Sequence, residues 1–177
     1  VHDNVVEQFT EKLVAKVKTM RLGKGIDAAT THDPSVNAAA VRKVEEHVQD
    51  AVSKGGVVRS GGKRPKGLDS GFFYEPTVVT GATKDMQVAY DETIGPLGSI
   101  FGFSSEGEAL ELANDTEFGL AGYFFSDDIG RVIRVDRELQ VGMVGVNTGL
   151  ISAAESPFGG VNVANAGAAH RPSARTC

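Results

Sequence analysis

The sequence predicts an α/β protein, a three-layer unit in which helices pack on a parallel sheet. Between residues 97 and 147 the apolar pattern alternates strand, helix, strand, helix, strand. The strands are expected near 98–103, 121–126 and 142–146, and their side chains are almost continuously apolar. Near-continuous apolar strands joined by helices are typical of a parallel sheet with helical crossovers.

Four helices are predicted from apolar side chains at three- and four-residue spacing, near residues 4–20, 37–54, 106–114 and 128–139. The buried face of the second helix is assigned to four valines, Val41, Val44, Val48 and Val52. Ser105 and Glu108 have the spacing of a capping box at the start of the third helix. Asp127 or Asp128 is expected to cap the fourth.

Two shorter strands are expected before the parallel strands, in "GVVRS" and in "FFYEPTVVTG". Pro76 lies in the second of these segments. Because proline has no backbone N–H for a sheet hydrogen bond, it places that strand at a sheet edge or marks its first residues.

The composition excludes several classes of protein. The chain has 177 residues, the size of about one domain, and is 41% hydrophobic and 23% charged. A net charge of −5 without a long Lys/Arg run argues against nucleic-acid binding. No apolar run reaches membrane-spanning length, so no membrane partner is expected.

The sequence contains a single cysteine, Cys177, at its last residue. One cysteine excludes an internal disulfide framework and indicates a reducing compartment, cytoplasmic or mitochondrial. At the end of a Pro/Arg/Ser tail, this thiol is a poor candidate nucleophile, because nothing would hold a base or oxyanion donors around it.

Common site motifs are missing from the sequence. There is no phosphate-binding loop, no G-x-G-x-x-G between a strand and a helix, and no G-x-S-x-G elbow. The four histidines, His2, His32, His47 and His170, lack ligand spacing, so no metal site is expected and each is read as structural or exposed.

Glycines and polar residues cluster instead near strand ends, in "DETIGP", "NTGLIS" and "ESPFGG". In open α/β sheets, ligands bind outside the carboxyl ends of the strands. The pattern therefore indicates part of an α/β ligand site. The acid pair Asp91 and Glu92 has two readings at this point, a solvated turn before Gly95-Pro96 or a ligand-facing pair.

The segments "DETIGP", "ANDTEFGLAGYFFS", "VGMVGVNTGLIS" and "ESPFGG" resemble, in order and spacing, the latter half of the aldehyde dehydrogenase catalytic domain. "VGVNTGLIS" followed by "PFGGV" is most similar to the succinate-semialdehyde dehydrogenase branch. The resemblance covers residues 1–161, including the two opening helices and the "GGKR" loop. It implies that 1–161 is a partial aldehyde dehydrogenase catalytic domain.

The resemblance implies oxidation of an aldehyde, with succinate semialdehyde the favoured substrate, to a carboxylate with NAD or NADP. In the family a cysteine thiolate attacks the aldehyde and a glutamate activates the hydrolytic water. Both residues, and the dinucleotide-binding domain, are implied to lie upstream of residue 1. No catalytic residue is therefore assigned here, and the chain alone is expected to hold no cofactor and to be inactive.

The resemblance assigns cofactor-binding roles to Glu92 and Ile94. Glu92 matches the family glutamate that hydrogen-bonds the nicotinamide ribose. Ile94 stands where many members carry a phenylalanine beside the nicotinamide. Gly95 and Pro96 are assigned a structural role beside this site.

The resemblance assigns substrate-binding roles to Ser152 and Phe158. Ser152 matches the residue that hydrogen-bonds the substrate carboxylate, against the alternative of a loop hydroxyl bonded to its own backbone. Phe158 matches an aromatic wall of the substrate tunnel, against the alternative of core packing. Asn147 matches a residue near the catalytic loop and is expected to hold a strand end by side-chain hydrogen bonds.

Residues 162–177 depart from the family pattern. This Ala- and Arg-rich tail is expected to be aberrant, as a shifted frame or an alternative splice would make it, and weakly ordered.

Two other functions stay open beside a dehydrogenase. One is a non-catalytic truncated domain that associates with itself or with a full-length subunit, and the other is an unrelated α/β binding module. The expected partners are a small semialdehyde and, as an assembly that the resemblance allows, a homo-oligomer.

Overall fold

The structure is a computed structural model that describes residues 1–68, 71–152 and 158–162. The chain divides into two compact units, and the boundary falls between Ser104 and Ser105. The predicted tail, apart from residue 162, lies outside the described residues.

The first unit contains two α-helices, α1 (Val6–Val17) and α2 (Ala38–Ser53), and short 3-10 helices at Asp3–Val5 and Gln87–Ala89. Its strands are β1 (Val57–Ser60), β2 (Thr77–Ala82) and β3 (Leu97–Phe101). They form one sheet in the order β1-β2-β3, in which β1 is antiparallel and β3 parallel to β2. Strand β2 begins directly after Pro76, which confirms one of the two places predicted for that proline.

The core of the first unit lies between α2 and the sheet. Val41, Val44 and Val48 are buried with Tyr74, as the predicted helix face requires. Val52 was assigned to the same face, and that prediction is wrong, since its side chain is 48% exposed. Ala51 is buried in its place, because at this end of α2 the covering side chains come from Val79, Ala82 and Met86.

The second unit contains α3 (Glu106–Asn114), β4 (Ala121–Phe124), α4 (Ile129–Glu138) and β5 (Met143–Val146). Strands β4 and β5 pair in parallel, with Ala121 opposite Met143. Leu110, Leu139 and Val144 form the core of this unit. A helix joins the two parallel strands, which is the arrangement that the alternating pattern predicts.

Side chains cap three helix starts, and two of these caps were predicted from the sequence. The Ser105 hydroxyl accepts from the Glu108 backbone N–H at 3.2 Å, as the capping-box spacing predicts. Asp128, one of the two candidates, caps α4 by accepting from the Arg131 N–H at 3.1 Å. Asn37 caps α2 through the Ala40 N–H at 2.9 Å. These bonds satisfy N–H groups that the first helical turn leaves without partners.

The α/β fold class is confirmed, but the strands are not grouped as expected. Among the described residues β3 pairs with β2, while β4 and β5 pair with each other in a separate two-stranded ladder. The first sheet is also mixed, because β1 runs antiparallel to β2. No helix in the described part of the chain is long and apolar enough to cross a membrane.

Candidate cofactor and substrate site

The acid pair lies on a loop of residues 90–96, here called the Glu92 loop, between the Gln87–Ala89 turn and β3. Asp91 is anchored to α2. Its carboxylate accepts from Lys43 Nζ at 3.0 Å and lies 3.3 Å from His47 Nε2. The Lys43 hydrogen bond, with a smaller contribution from His47, holds the pKa of Asp91 below its usual value. Asp91 is therefore an ionised anchor of the loop.

The same two α2 residues also hold the next part of the loop. Lys43 Nζ donates to the Glu92 backbone carbonyl at 2.6 Å. His47 Nδ1 lies 2.9 Å from Thr93 Oγ1, and the imidazole is buried. Because the Asp91 carboxylate can only accept, the proton on Nε2 faces it, and in the neutral ring Nδ1 accepts the Thr93 hydroxyl.

Glu92 differs from Asp91 in its surroundings. Its side chain is exposed, and its carboxylate has no hydrogen bond or ion pair with the part of the chain that the structure describes. Only the backbone of Glu92 is held. The loop therefore fixes the position of the residue and leaves both carboxylate oxygens available to accept hydrogen bonds from a ligand.

The remainder of the loop is unusually constrained. Ile94 has φ 45°, in the left-handed region, with its side chain 77% exposed. A Cβ on Gly95 would meet Val44 Cγ2 of α2 at 2.3 Å, so only glycine allows this close approach. The Pro96 carbonyl accepts from the Thr77 N–H at 2.8 Å. Gly95 and Pro96 thus join the loop to α2 and to the start of β2.

In the second unit, Asn147 follows β5 directly and has φ 55°. Its Oδ1 accepts from the Ser126 N–H at 2.9 Å, and its Nδ2 donates to the Ser126 carbonyl at 3.0 Å. Its own N–H donates to the Phe124 carbonyl at 3.0 Å. These three bonds tie the carboxyl end of β5 to the segment that follows β4.

Ser152 and Phe158 lie further along the same unit, on either side of residues 153–157, which are outside the described residues. Both side chains are exposed, Phe158 by 67%. Ser152 makes no hydrogen bond with the described residues, and the exposure of Phe158 rules out core packing within them. The segment after Phe158 is held by Val161, whose N–H donates to the Gly119 carbonyl at 2.9 Å.

Two residues matter for the loop beyond those assigned to the site: Lys43 was not singled out from the sequence, and His47 was read only as structural or exposed. The only available signal was their i, i+4 spacing on α2, which places both on one helix face beside Val44. No group of three or more His, Cys, Asp or Glu suited to a metal is present in residues 1–68, 71–152 and 158–162.

The aldehyde dehydrogenase family profile matches residues 1–175. The 3-sulfolactaldehyde dehydrogenase of Pseudomonas putida is 52% identical over 167 residues, covering 94% of this chain and 34% of that protein. The mitochondrial succinate-semialdehyde dehydrogenase of Homo sapiens is 48% identical over 167 residues, covering 94% and 30%. The chain belongs to the aldehyde dehydrogenase family, and it spans about a third of the length of these curated relatives.

Solved structures agree with the family assignment. A succinate-semialdehyde dehydrogenase from Burkholderia pseudomallei matches with a TM-score of 0.88 and 52% identity, covering 92% of this chain and 33% of that one. A betaine aldehyde dehydrogenase from Staphylococcus aureus in complex with NAD+ matches with a TM-score of 0.85 and 37% identity, over the same shares.

Proposed function

We propose that this chain is part of an NAD(P)-dependent dehydrogenase that oxidises a semialdehyde, succinate semialdehyde above others, to the carboxylate. The observation that carries the proposal is the contrast within the acid pair. Asp91 is bound to Lys43 and His47, whereas the Glu92 carboxylate is exposed and without a partner among the described residues. A carboxylate held by its backbone and open at its oxygens suits a ligand that carries neighbouring hydroxyl groups.

The residues of the Glu92 loop fit a nicotinamide cofactor. Glu92 would accept hydrogen bonds from the ribose hydroxyls, and the exposed Ile94 would lie beside the ring. NAD or NADP, when bound, would provide the nicotinamide ring that accepts the hydride from the substrate. Glu92 contributes orientation, because the rate of such a transfer depends on how well the reacting atoms are aligned.

The substrate class is proposed from the names of the relatives together with Ser152 and Phe158. Sulfolactaldehyde and succinate semialdehyde, the substrates in those names, both pair an aldehyde with an acidic group. The Ser152 hydroxyl would donate to that acidic group, and Phe158 would flank the carbon chain. The cysteine nucleophile and glutamate base of the family match no motif in these 177 residues, so the chain alone is proposed to be inactive.

We also propose a reducing compartment, cytoplasmic or mitochondrial. The mitochondrial succinate-semialdehyde dehydrogenase of Homo sapiens among the relatives supports the second of these.

The test uses a full-length dehydrogenase that carries these residues, either the natural protein or a chimera completed with the other two-thirds of the Pseudomonas putida relative. Glu92→Gln should lower single-turnover hydride transfer more than it weakens cofactor binding. A hydrogen bond to a charged group is worth about 1.5–3 kcal/mol, which corresponds to roughly ten- to a hundredfold in rate. The amide still accepts one bond, so the lower end is expected.

Glu46→Gln is the matched control, because Glu46 is exposed on α2 and the change removes the same charge. Its hydride transfer should equal that of the parent. Unchanged transfer in Glu92→Gln would contradict the cofactor role and return the acid pair to a solvated turn. An inactive parent that still assembles would favour the non-catalytic domain instead.

A further inference from the structure

We propose that Lys43 and His47 are positioning residues for the Glu92 loop, which they hold in the conformation that presents the Glu92 carboxylate to the nicotinamide ribose. This inference rests on the proposed function. It assigns a role to two α2 residues that touch neither cofactor nor substrate in that scheme. It also gives Asp91, the acid next to Glu92, a role as the residue that attaches the loop to α2.

The contacts come from one face of α2. Lys43 and His47 stand at positions i and i+4 and Val44 precedes His47 by three positions, so His47 is a helix-surface neighbour of both. Lys43 bonds the Asp91 carboxylate and the Glu92 carbonyl, at 3.0 and 2.6 Å. His47 contacts Asp91 and Thr93, at 3.3 and 2.9 Å. Three consecutive loop residues are thus fixed by two side chains.

A third α2 residue, Val44, contacts the loop beyond Thr93, at Gly95. Gly95 lies against this valine so closely that no side chain fits between them. Ile94, between the two attachments, takes a left-handed backbone conformation that a β-branched residue rarely adopts. Such a conformation persists where the surroundings impose it. Here the contacts of Thr93 on one side and of Gly95 on the other impose it.

The carboxylates of Asp91 and Glu92 have different roles in this proposal. The Asp91 carboxylate is occupied by Lys43 and His47, and its pKa is held low by the Lys43 bond first. Glu92 is bound to α2 only through its backbone carbonyl, which accepts the Lys43 hydrogen bond. Because Lys43 donates to that carbonyl, α2 is attached to the backbone of the same residue whose side chain the cofactor would need. A displacement of about an ångström at that side chain can lower the rate on the order of a hundredfold.

The first arm of the experiment measures loop order without any catalytic readout. Selectively labelled full-length protein is compared as parent, Lys43→Met and Lys12→Met. Lys12, exposed on α1, is the matched control for loss of a long cationic side chain. In Lys43→Met the amide order parameters of Glu92 and of Thr93, whose N–H shares a peptide group with the Glu92 carbonyl, should fall from about 0.85 to below about 0.6. They should stay unchanged in Lys12→Met, and so should that of Thr77 in every variant.

The second arm asks whether Lys43 acts through Glu92. Lys43→Met should reduce single-turnover hydride transfer about tenfold while changing the Michaelis constant for the aldehyde less than about twofold. In a Glu92→Gln background the same change should have less than about a threefold effect, because the two residues then no longer act on one contact. Lys43→Arg should recover most of the parent rate.

The outcomes are separable. Unchanged loop order in Lys43→Met, or rate losses that multiply fully in the double variant, would overturn the positioning role. His47→Gln, which keeps an N–H for Asp91 but loses the Thr93 contact, should loosen Thr93 alone and gives a second test. If the parent neither binds NAD(P)H in a fluorescence titration nor turns over, the proposed function fails, while the loop-order arm still decides the attachment.

Discussion

Gly95 and Val44 lie closer than any residue with a side chain at position 95 would permit, since a Cβ there would stand 2.3 Å from Val44 Cγ2. Val44 is fully buried in the core beneath the loop. The contact therefore links the Glu92 loop directly to the part of α2 that the hydrophobic core holds most firmly.

Gly95→Ala should lower the free energy of unfolding by about 1–3 kcal/mol, the usual cost of overpacking a filled site. Val44→Ala removes the methyl group that the new Cβ would strike. In that background the added cost of Gly95→Ala should fall by about 1 kcal/mol or more. Urea denaturation of the four proteins measures both values.

Gly107→Ala is the control for this series, because nothing lies within 4 Å of a Cβ at that position. It should cause no loss of stability. Equal costs for Gly95→Ala with and without Val44 would show that the clash is relieved in another way.

Ile94 offers a separate measure of strain in the loop. A left-handed backbone costs an ordinary residue about 1–2 kcal/mol, and asparagine adopts it more readily. Ile94→Asn should therefore raise the free energy of unfolding by about 1 kcal/mol, because the exposed side chain gives up little burial. Chemical denaturation monitored by circular dichroism provides the measurement.

Ile26→Asn is matched to this change, since Ile26 is 90% exposed and is not among the left-handed residues. Its stability should be unaltered within about 0.5 kcal/mol. A loss of stability in Ile94→Asn would mean that the isoleucine side chain contributes contacts that outweigh its backbone strain.

Glu106 should make the second unit sensitive to acid. Its carboxylate accepts from Arg134 Nε at 2.8 Å and from Arg131 Nε at 3.0 Å. The two Arg134 hydrogen bonds, and then the single Arg131 hydrogen bond, lower the pKa of Glu106 from 4.5 to about 2. Because the pKa is lower in the folded state than in the unfolded chain, the ionised carboxylate stabilises the fold at pH values above the unfolded pKa. That stabilisation is lost as pH falls from 4.5 through about 2.

Glu106→Gln should accordingly flatten the fall of unfolding free energy across this pH window relative to the parent. Above it the variant should be the less stable of the two. Because the carboxylate is partly exposed, 1 M salt should shrink the difference. Parallel pH curves for the two proteins would show that these ion pairs add nothing to stability.

Local pattern explains what could be predicted of the fold. The buried valines of α2 and the caps at Ser105 and Asp128 follow from spacing within a few residues. The grouping of strands does not, because strand neighbours are chosen by packing between distant segments. The predicted burial of Val52 was wrong for a related reason, since which side of the last helical turn is covered depends on the distant residues Val79 and Met86.

In the candidate site, too, local sequence pattern predicted some features, whereas contacts between distant segments could not be predicted. Glu92 and Ser152 were assigned through resemblance to a family, and composition or spacing alone gave only a ligand site at strand ends. Lys43 and His47 contact loop residues 44 to 49 positions away along the chain. No local period carries that information, so the attachment of the Glu92 loop to α2 became visible only in the structure.

The last prediction concerns the carboxylate end of the substrate. In the full-length dehydrogenase, Ser152→Ala should raise the Michaelis constant for succinate semialdehyde by about tenfold, the lower end for a hydrogen bond to a charged group. An aldehyde of similar length without a carboxylate should change less than about twofold, because it never receives that bond. Steady-state rates with both aldehydes provide the comparison, and the uncharged aldehyde is the internal control. If both Michaelis constants rise together, Ser152 shapes the loop rather than binding the acid. If neither moves, the acidic group is recognised by other residues of the enzyme.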